Sequence, residues 1–312
     1  MSQGRFPSYG GQALIEGVVM RGTYIVSAAM RRPDGEIIIQ TEELKGIYKS
    51  SLRRIPILRG LVILWDSLGL GMRFLLFSAN LQAGQEEIIE GPVLYGTLLF
   101  SFFVVILLFF IAPAAIGQLS ERLLGLNAWL SNLVEGIIRL LIVVGYIWAI
   151  GKQKDIQRVF AYHGAEHKTI NAYEAGVDLT STSVAQQSLV HPRCGTSFLL
   201  TLVILSILVF SIIGPLPPFM RITSRILLLP ILAGVAYEYI RWAANHLKNP
   251  FVRLIIIPNL ALQKLTTREP DLTMIEVAIA AFTTLLEKEQ NLISEPSIST
   301  SKIGTHYPSI EH

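Results

Sequence analysis

Thirty consecutive residues, Gly91 to Ser120, contain no Asp, Glu, Lys or Arg. A stretch this apolar leaves few folding options, because inside a bilayer only helices and closed barrels satisfy every backbone polar group. As a helix, Val93–Gly117 exceeds the roughly 20 residues needed to cross the hydrocarbon. Three more spans are expected at Asn132–Gly151, Ser197–Gly214 and Arg225 to about Asn245. The Pro-rich run 214–218 turns the chain between the last two. The second span carries Glu135 and Arg139, four apart and able to pair. The fourth carries Glu238 and Arg241, which are costly at membrane depth and so expected near an end or turned inward, where they can also neutralise one another. Over all 312 residues, 51% are hydrophobic and 16% charged, against about 25% charged in an average soluble domain. A net charge of +3 with no basic run excludes a nucleic-acid partner and points to cationic groups facing a membrane surface.

The short loops set the orientation. Loop 152–196 has five Lys and Arg, whereas loops 118–132 and 215–224 have one each. By the positive-inside rule the long loop and both termini are cytoplasmic. The single cysteine, Cys194, rules out an internal disulfide and fits the reducing side. Residues 1–12 lack the apolar core of a cleavable signal.

The remaining organisation reads as follows. Residues 1–54 form a β-rich cytoplasmic element, with two strands expected around Pro33-Asp34-Gly35. Residues 55–92 hold an amphipathic helix in which Arg59, Asp66 and Arg73 recur every seven residues as one polar stripe, and which lies at the interface rather than crossing. Two transmembrane hairpins, 93–151 and 197–245, flank the loop 152–196. Cytoplasmic helices occupy 246–290, with a capping box at Thr273 and Glu276, and 291–312 is a disordered tail. The expected fold is mainly α: an integral membrane bundle of about four transmembrane helices plus an interfacial helix, with a small N-terminal β-rich element.

Loop 152–196 contains His163-Gly164-Ala165-Glu166-His167, the H-x-x-E-H pattern of inverted zinc hydrolases. On a helix spanning Asp155 to Glu174 both imidazoles leave one face. Zinc needs such neutral imidazoles, a third protein ligand and, for catalysis, an open fourth position beside a carboxylate base, here Glu166. Three residues compete as third ligand. Glu238 lies 71 residues beyond His167, close to the interval seen in inverted-motif enzymes, and is favoured. His191 follows it. Cys194, in His191-Pro192-Arg193-Cys194, would suit a structural site better or simply cap the third span. In Gly10–Gly22, glycines permit close backbone approach around Glu16 and Arg21, which read either as site residues or as a buried pair.

Four segments together resemble the YqhQ-like membrane family: Tyr9–Ala13 with Met20-Arg21-Gly22, Tyr162–Thr169, His191–Phe198 and Leu265–Pro270. The resemblance covers residues 9 to 285. It implies a bacterial plasma membrane or a plastid-type membrane, and it implies a metal-dependent enzyme whose ligand motif falls on His163, Glu166 and His167. Two positions depart from the pattern: Leu189 stands where Arg is usual. Asn259 replaces a Gly after Pro258, where Asn would tolerate a left-handed backbone. The expected activity is zinc-dependent hydrolysis of a membrane-protein or peptide substrate at the cytoplasmic face. The alternative is a membrane scaffold with a structural metal.

Overall fold

The glycine-rich N-terminal segment closes into a hairpin. In the computed structural model, which describes residues 9–44, 55–83, 91–214 and 216–294, β1 (Gly10–Leu14) and β2 (Gly17–Arg21) pair around the two-residue turn Ile15-Glu16. The expected strand pair follows as β3 (Ile25–Arg31) and β4 (Ile37–Glu43), completing an antiparallel meander in the order β1-β2-β3-β4. Gly35, at φ +95°, supplies the left-handed residue of the β3–β4 turn. Val18, Met20, Ile25 and Ala29 enter one core, while Val19, Val26, Ala28 and Met30 enter another. The central strands are therefore buried on both faces, which is why they lack the apolar–polar alternation of a half-exposed strand.

Helices cover both faces. On one lie α5 (Lys154–Glu174) and α10 (Leu272–Ser294); on the other lies α1 (Leu58–Ala83). Helix α10 is capped by Asp271, whose Oδ1 accepts from the Met274 N–H at 2.9 Å and the Thr273 hydroxyl at 2.6 Å. This corrects the expected capping box. Thr273 only supports Asp271, and Glu276 pairs instead with Arg31 at 2.7 Å. Helix α10 continues through Ser294, and the rest of the expected tail lies outside the described residues.

The bundle is built from α2 (Gly91–Ile106), which runs through a π-bulge at Leu107–Ile111 into α3 (Ala112–Leu124), then α4 (Ala128–Ile150), α7 (Gly195–Ile213), α8 (Pro218–Asn245) and α9 (Pro250–Thr266). The short α6 (Ser181–Ala185) precedes α7. Among the described residues, five helices are long and apolar enough to cross a membrane: Leu58–Ala83, Gly91–Leu124, Ala128–Ile150, Gly195–Ile213 and Phe219–Asn245. The chain is a mainly helical integral membrane protein with a small N-terminal sheet.

Helix α1 differs from the other four in what it touches. Each charge of its seven-residue stripe meets a different element: Arg59 pairs with Glu238 of α8, Asp66 with Arg21 of β2, and Arg73 with Glu42 of β4. Gly60 makes room for the Tyr237 ring and Gly71 for the Gln12 amide, while Ser78 accepts the Ile15 N–H. Each charge of the stripe thus has a protein partner, although Arg73 stays exposed, and Trp65 and Leu68 stand outward at 76% and 61% exposure. A helix with its polar side satisfied by protein and its apolar side open suits lipid on the outside. Arg59 thus takes the Glu238 carboxylate, for which Arg241, exposed three residues on, was the alternative partner.

Replacing Asp271 with Ala is expected to cost about 1 kcal/mol through loss of the α10 cap. Thr273→Ala should cost less. Thermal unfolding of the two variants in one detergent checks the order.

Candidate functional site

Helix α5 is rich in polar residues and yet largely buried from Ala161 to Ala172. It ends in a Schellman motif: Gly176 at φ +69° donates to the Tyr173 carbonyl, and Val177 to that of Ala172. Its apolar residues pack on the sheet and α10. Its polar residues grip two other backbone segments. Toward 185–194, the Lys168 Nζ donates to the Ala185 and Gln187 carbonyls at 2.6 and 2.9 Å, and the Asn171 Nδ2 donates to Ser188 and Val190. Toward 266–269, Lys168 pairs with Glu269 at 2.7 Å, and the Phe160 carbonyl accepts the Arg268 N–H. Gly164 lets that second segment approach, since a Cβ there would stand 2.2 Å from the Arg268 carbonyl oxygen.

This grip orients the two histidines. The His163 Nδ1 lies 2.9 Å from the Thr266 carbonyl oxygen, and the His167 Nδ1 lies 2.6 Å from that of Leu189. A carbonyl only accepts, so both Nδ1 atoms carry the proton and both Nε2 atoms present a lone pair. The rings stand 4.4 Å apart between centroids. Cys194, the N-cap of α7, brings its Sγ to 3.3 Å from the His163 Nε2. Ligand atoms of His163, His167 and Cys194 all lie within 4.8 Å of one another. The buried His167 Nε2 has no hydrogen-bond partner among the described residues. Leaving such an acceptor empty costs about 1–3 kcal/mol. Two imidazoles anchored through Nδ1, a thiol and an orphaned Nε2 fit the donor set of a zinc-type ion, with backbone carbonyls as the outer shell.

Glu166 lies beside this cluster, its Oε2 3.9 Å from the His163 Nε2. Burial pushes its pKa up to about 7, against the opposing pull of His163 and the Gly11 N–H. Gly11 is required for this approach, because a Cβ would meet the Glu166 Cγ at 2.9 Å. Of the N-terminal glycines, Gly11 therefore makes its close contact with Glu166, whereas Gly17 approaches Met30 and Gly22 approaches Glu289.

The other expected site residues separate into two groups. His191 and Arg193 are near: the His191 ring centre is 5.9 Å from that of His167, but its Nε2 faces Glu174 at 3.5 Å, and Arg193 pairs with the same carboxylate. Burial lowers the His191 pKa, partly offset by Glu174. Burial works to raise the Glu174 pKa, yet His191 and Arg193 outweigh it and hold the carboxyl low. Glu238, the favoured third ligand, is not brought to the cluster; Arg59 holds it, with the Arg59 Nε donating at 2.6 Å. Glu16 and Arg21 do not pair, since Glu16 sits in the β1–β2 turn and Arg21 at the far end of β2, roughly 16 Å along the chain. Glu16 instead accepts from the Arg158 Nε and Nη2 at 2.5 and 2.6 Å and from the Tyr162 hydroxyl at 3.2 Å. The two departures also find their reasons. Leu189 acts through its carbonyl, which any side chain provides. Asn259 is helical within α9, not left-handed, and its Nδ2 donates to Thr201.

Two outcomes follow from this geometry. Gly164→Ala forces α5 away from Arg268 and is expected to destabilise by about 1–3 kcal/mol, measured by thermal unfolding. Glu16 is held below its ordinary value of 4.5 by the Arg158 guanidinium. A carboxyl lowered on folding stabilises above its unfolded pKa and loses that contribution as pH falls through the folded value. Glu16→Gln should therefore lower stability near neutral pH and converge with the wild type in acid, as read from melting curves across that range.

Parts of all four segments that carried the resemblance meet at this site: β1 through Gly11, α5, residues 191–198 leading into α7, and 265–270, while Met20-Arg21-Gly22 lies away from it. Residues 55–288 match a family described as "Protein of unknown function (DUF1385)". The chain is also 34% identical over 302 residues to the "Uncharacterized protein YqhQ" of Bacillus subtilis (strain 168), covering 91% of this chain and 93% of that protein. No solved structure matches. A family model matched over most of the chain and a relative aligned almost end to end agree: the chain belongs to the DUF1385, YqhQ-like family.

Proposed function

We propose that this chain is a metal-dependent hydrolase acting at the membrane face, with a zinc-type ion held by His163, His167 and Cys194. The observation that carries the reading is the pair of Nδ1-anchored imidazoles with an orphaned Nε2 beside a thiol. Such an ion would supply Lewis-acid activation of water and of a substrate carbonyl near neutral pH. The chain's own groups do the rest. Three protein donors leave a fourth position open. Glu166, with a pKa near 7, takes a proton from the attacking water and returns it to the leaving group. Gly11 holds that carboxylate through its backbone N–H. The substrate class is a peptide or ester bond of a membrane-associated molecule. The excess of Lys and Arg in loop 152–196 favours a cytoplasmic site under the positive-inside rule.

A second reading, a non-enzymatic scaffold with a structural ion, draws on depth: Glu166, His167 and Cys194 are all buried. One experiment separates the two. Metal analysis of protein purified in mild detergent should find about one zinc per chain. His163→Ala and Cys194→Ser should each weaken retention about tenfold or more. Glu166→Gln should keep the ion and abolish cleavage, read by profiling new N-termini in membranes expressing each form. An unchanged profile in Glu166→Gln with metal retained leaves only the scaffold. Protein that binds no metal sinks both.

A further inference from the structure

We propose that the polar node at the opposite end of the bundle binds a phosphate-bearing anion, seated on Arg221 and Arg225 in place of Glu121. The node joins the last turn of α3 to the first turns of α4 and α8. Phe210 of α7 lies against it, with the Arg225 guanidinium 4.4 Å from its ring centre. Cys194 and Phe210 are sixteen residues apart on one helix, so the node lies roughly 24 Å along α7 from the His/Cys cluster.

Its charge does not balance. Three buried guanidinium groups, those of Arg139, Arg221 and Arg225, converge on one buried carboxylate, Glu135, at 2.9, 3.1 and 3.1 Å. Cations in such a setting are ordinarily matched one for one or mark a functional site. The nearest further anion is Glu121, which reaches the Arg221 Nη1 only at 3.5 Å and is 41% exposed. That is the loosest contact of the node and its open edge. Donor capacity remains there as well. Each Nη1 carries two N–H groups. Among the described residues Arg221 commits one of them, to Glu121, and Arg225 commits one, to Ser224 at 3.3 Å. The remaining donors are fixed by Glu135, Ser131 and Asn132. The forks are therefore pre-oriented, as phosphate recognition by Arg requires.

Arg139 lies deeper and does not take part in binding. Its Nε donates to the Phe109 carbonyl inside the π-bulge at 3.0 Å. That carbonyl is available because the residue four ahead, Pro113, has no N–H to donate to it. Glu135 stays paired by Arg139 and Arg225 when Arg221 is altered.

The test uses the full chain, delipidated in non-ionic detergent and titrated with inorganic pyrophosphate, phosphatidylglycerol or uncharged diacylglycerol while thermal unfolding is followed. The phosphate-bearing probes should raise the melting temperature and diacylglycerol should not. A response to phosphatidylglycerol alone assigns a lipid headgroup, whereas a response to pyrophosphate as well assigns a soluble phosphate. Arg221→Gln should weaken binding about tenfold or more. Glu121→Gln, which removes the competing carboxylate and leaves the buried core intact, should tighten it several-fold. No response to either phosphate probe, equal affinity in Arg221→Gln, or unchanged affinity in Glu121→Gln overturns the proposal.

Discussion

Everything at the candidate site depends on a polar helix that is largely buried from Ala161 to Ala172. Buried side chains on α5 must find partners inside the protein, since an unmet donor or acceptor there costs more than a met one gains. They find them in the backbone of two loops: the segment before α7 meets Lys168, Asn171 and His167, and the segment after α9 meets His163 and Lys168. The same bonds that satisfy α5 place Cys194 beside the two imidazoles and decide which ring nitrogen faces it.

Helix α1 links the two halves of the molecule. Its first turn is tied to α8 through Arg59, and its later turns to the sheet through Asp66, Arg73 and Ser78. Because the outer side of α1 is apolar, the sheet cannot part from that helix's partners without disturbing a face suited to lipid. The sheet in turn supplies the Gly11 amide to Glu166, so the link from lipid to site runs through α1, β1 and α5.

Features set by local periodicity were legible in the sequence. The apolar spans, the helix carrying His163 and His167, its glycine terminus and the β3–β4 turn all appear where residue spacing puts them. Features set by contacts between distant segments were not. Position along α8 says nothing of the direction in which a carboxylate points, and Glu238 turns toward Arg59, 179 residues earlier. Cys194 ranked last among third ligands because a thiolate suits a structural site better, and its nearness to His163 rests on a loop held by α5. The carbonyls of Leu189 and Thr266 leave no side-chain signature at all. The β1–β2 hairpin escaped notice because its turn places Glu16, not Gly, in the left-handed region, at φ +52°. Its Gly11 was nonetheless marked by the crowding that any side chain there would create.

The family match begins at residue 55, past the whole four-stranded sheet. Yet that sheet touches α5 from one side, α1 from the other and α10 along its length. A fragment trimmed to the matched stretch would keep every imidazole and thiol of the cluster. It would lose the wall that keeps Glu166 dry and the amide that steadies it. The boundary of the working unit therefore lies upstream of the boundary of the family match.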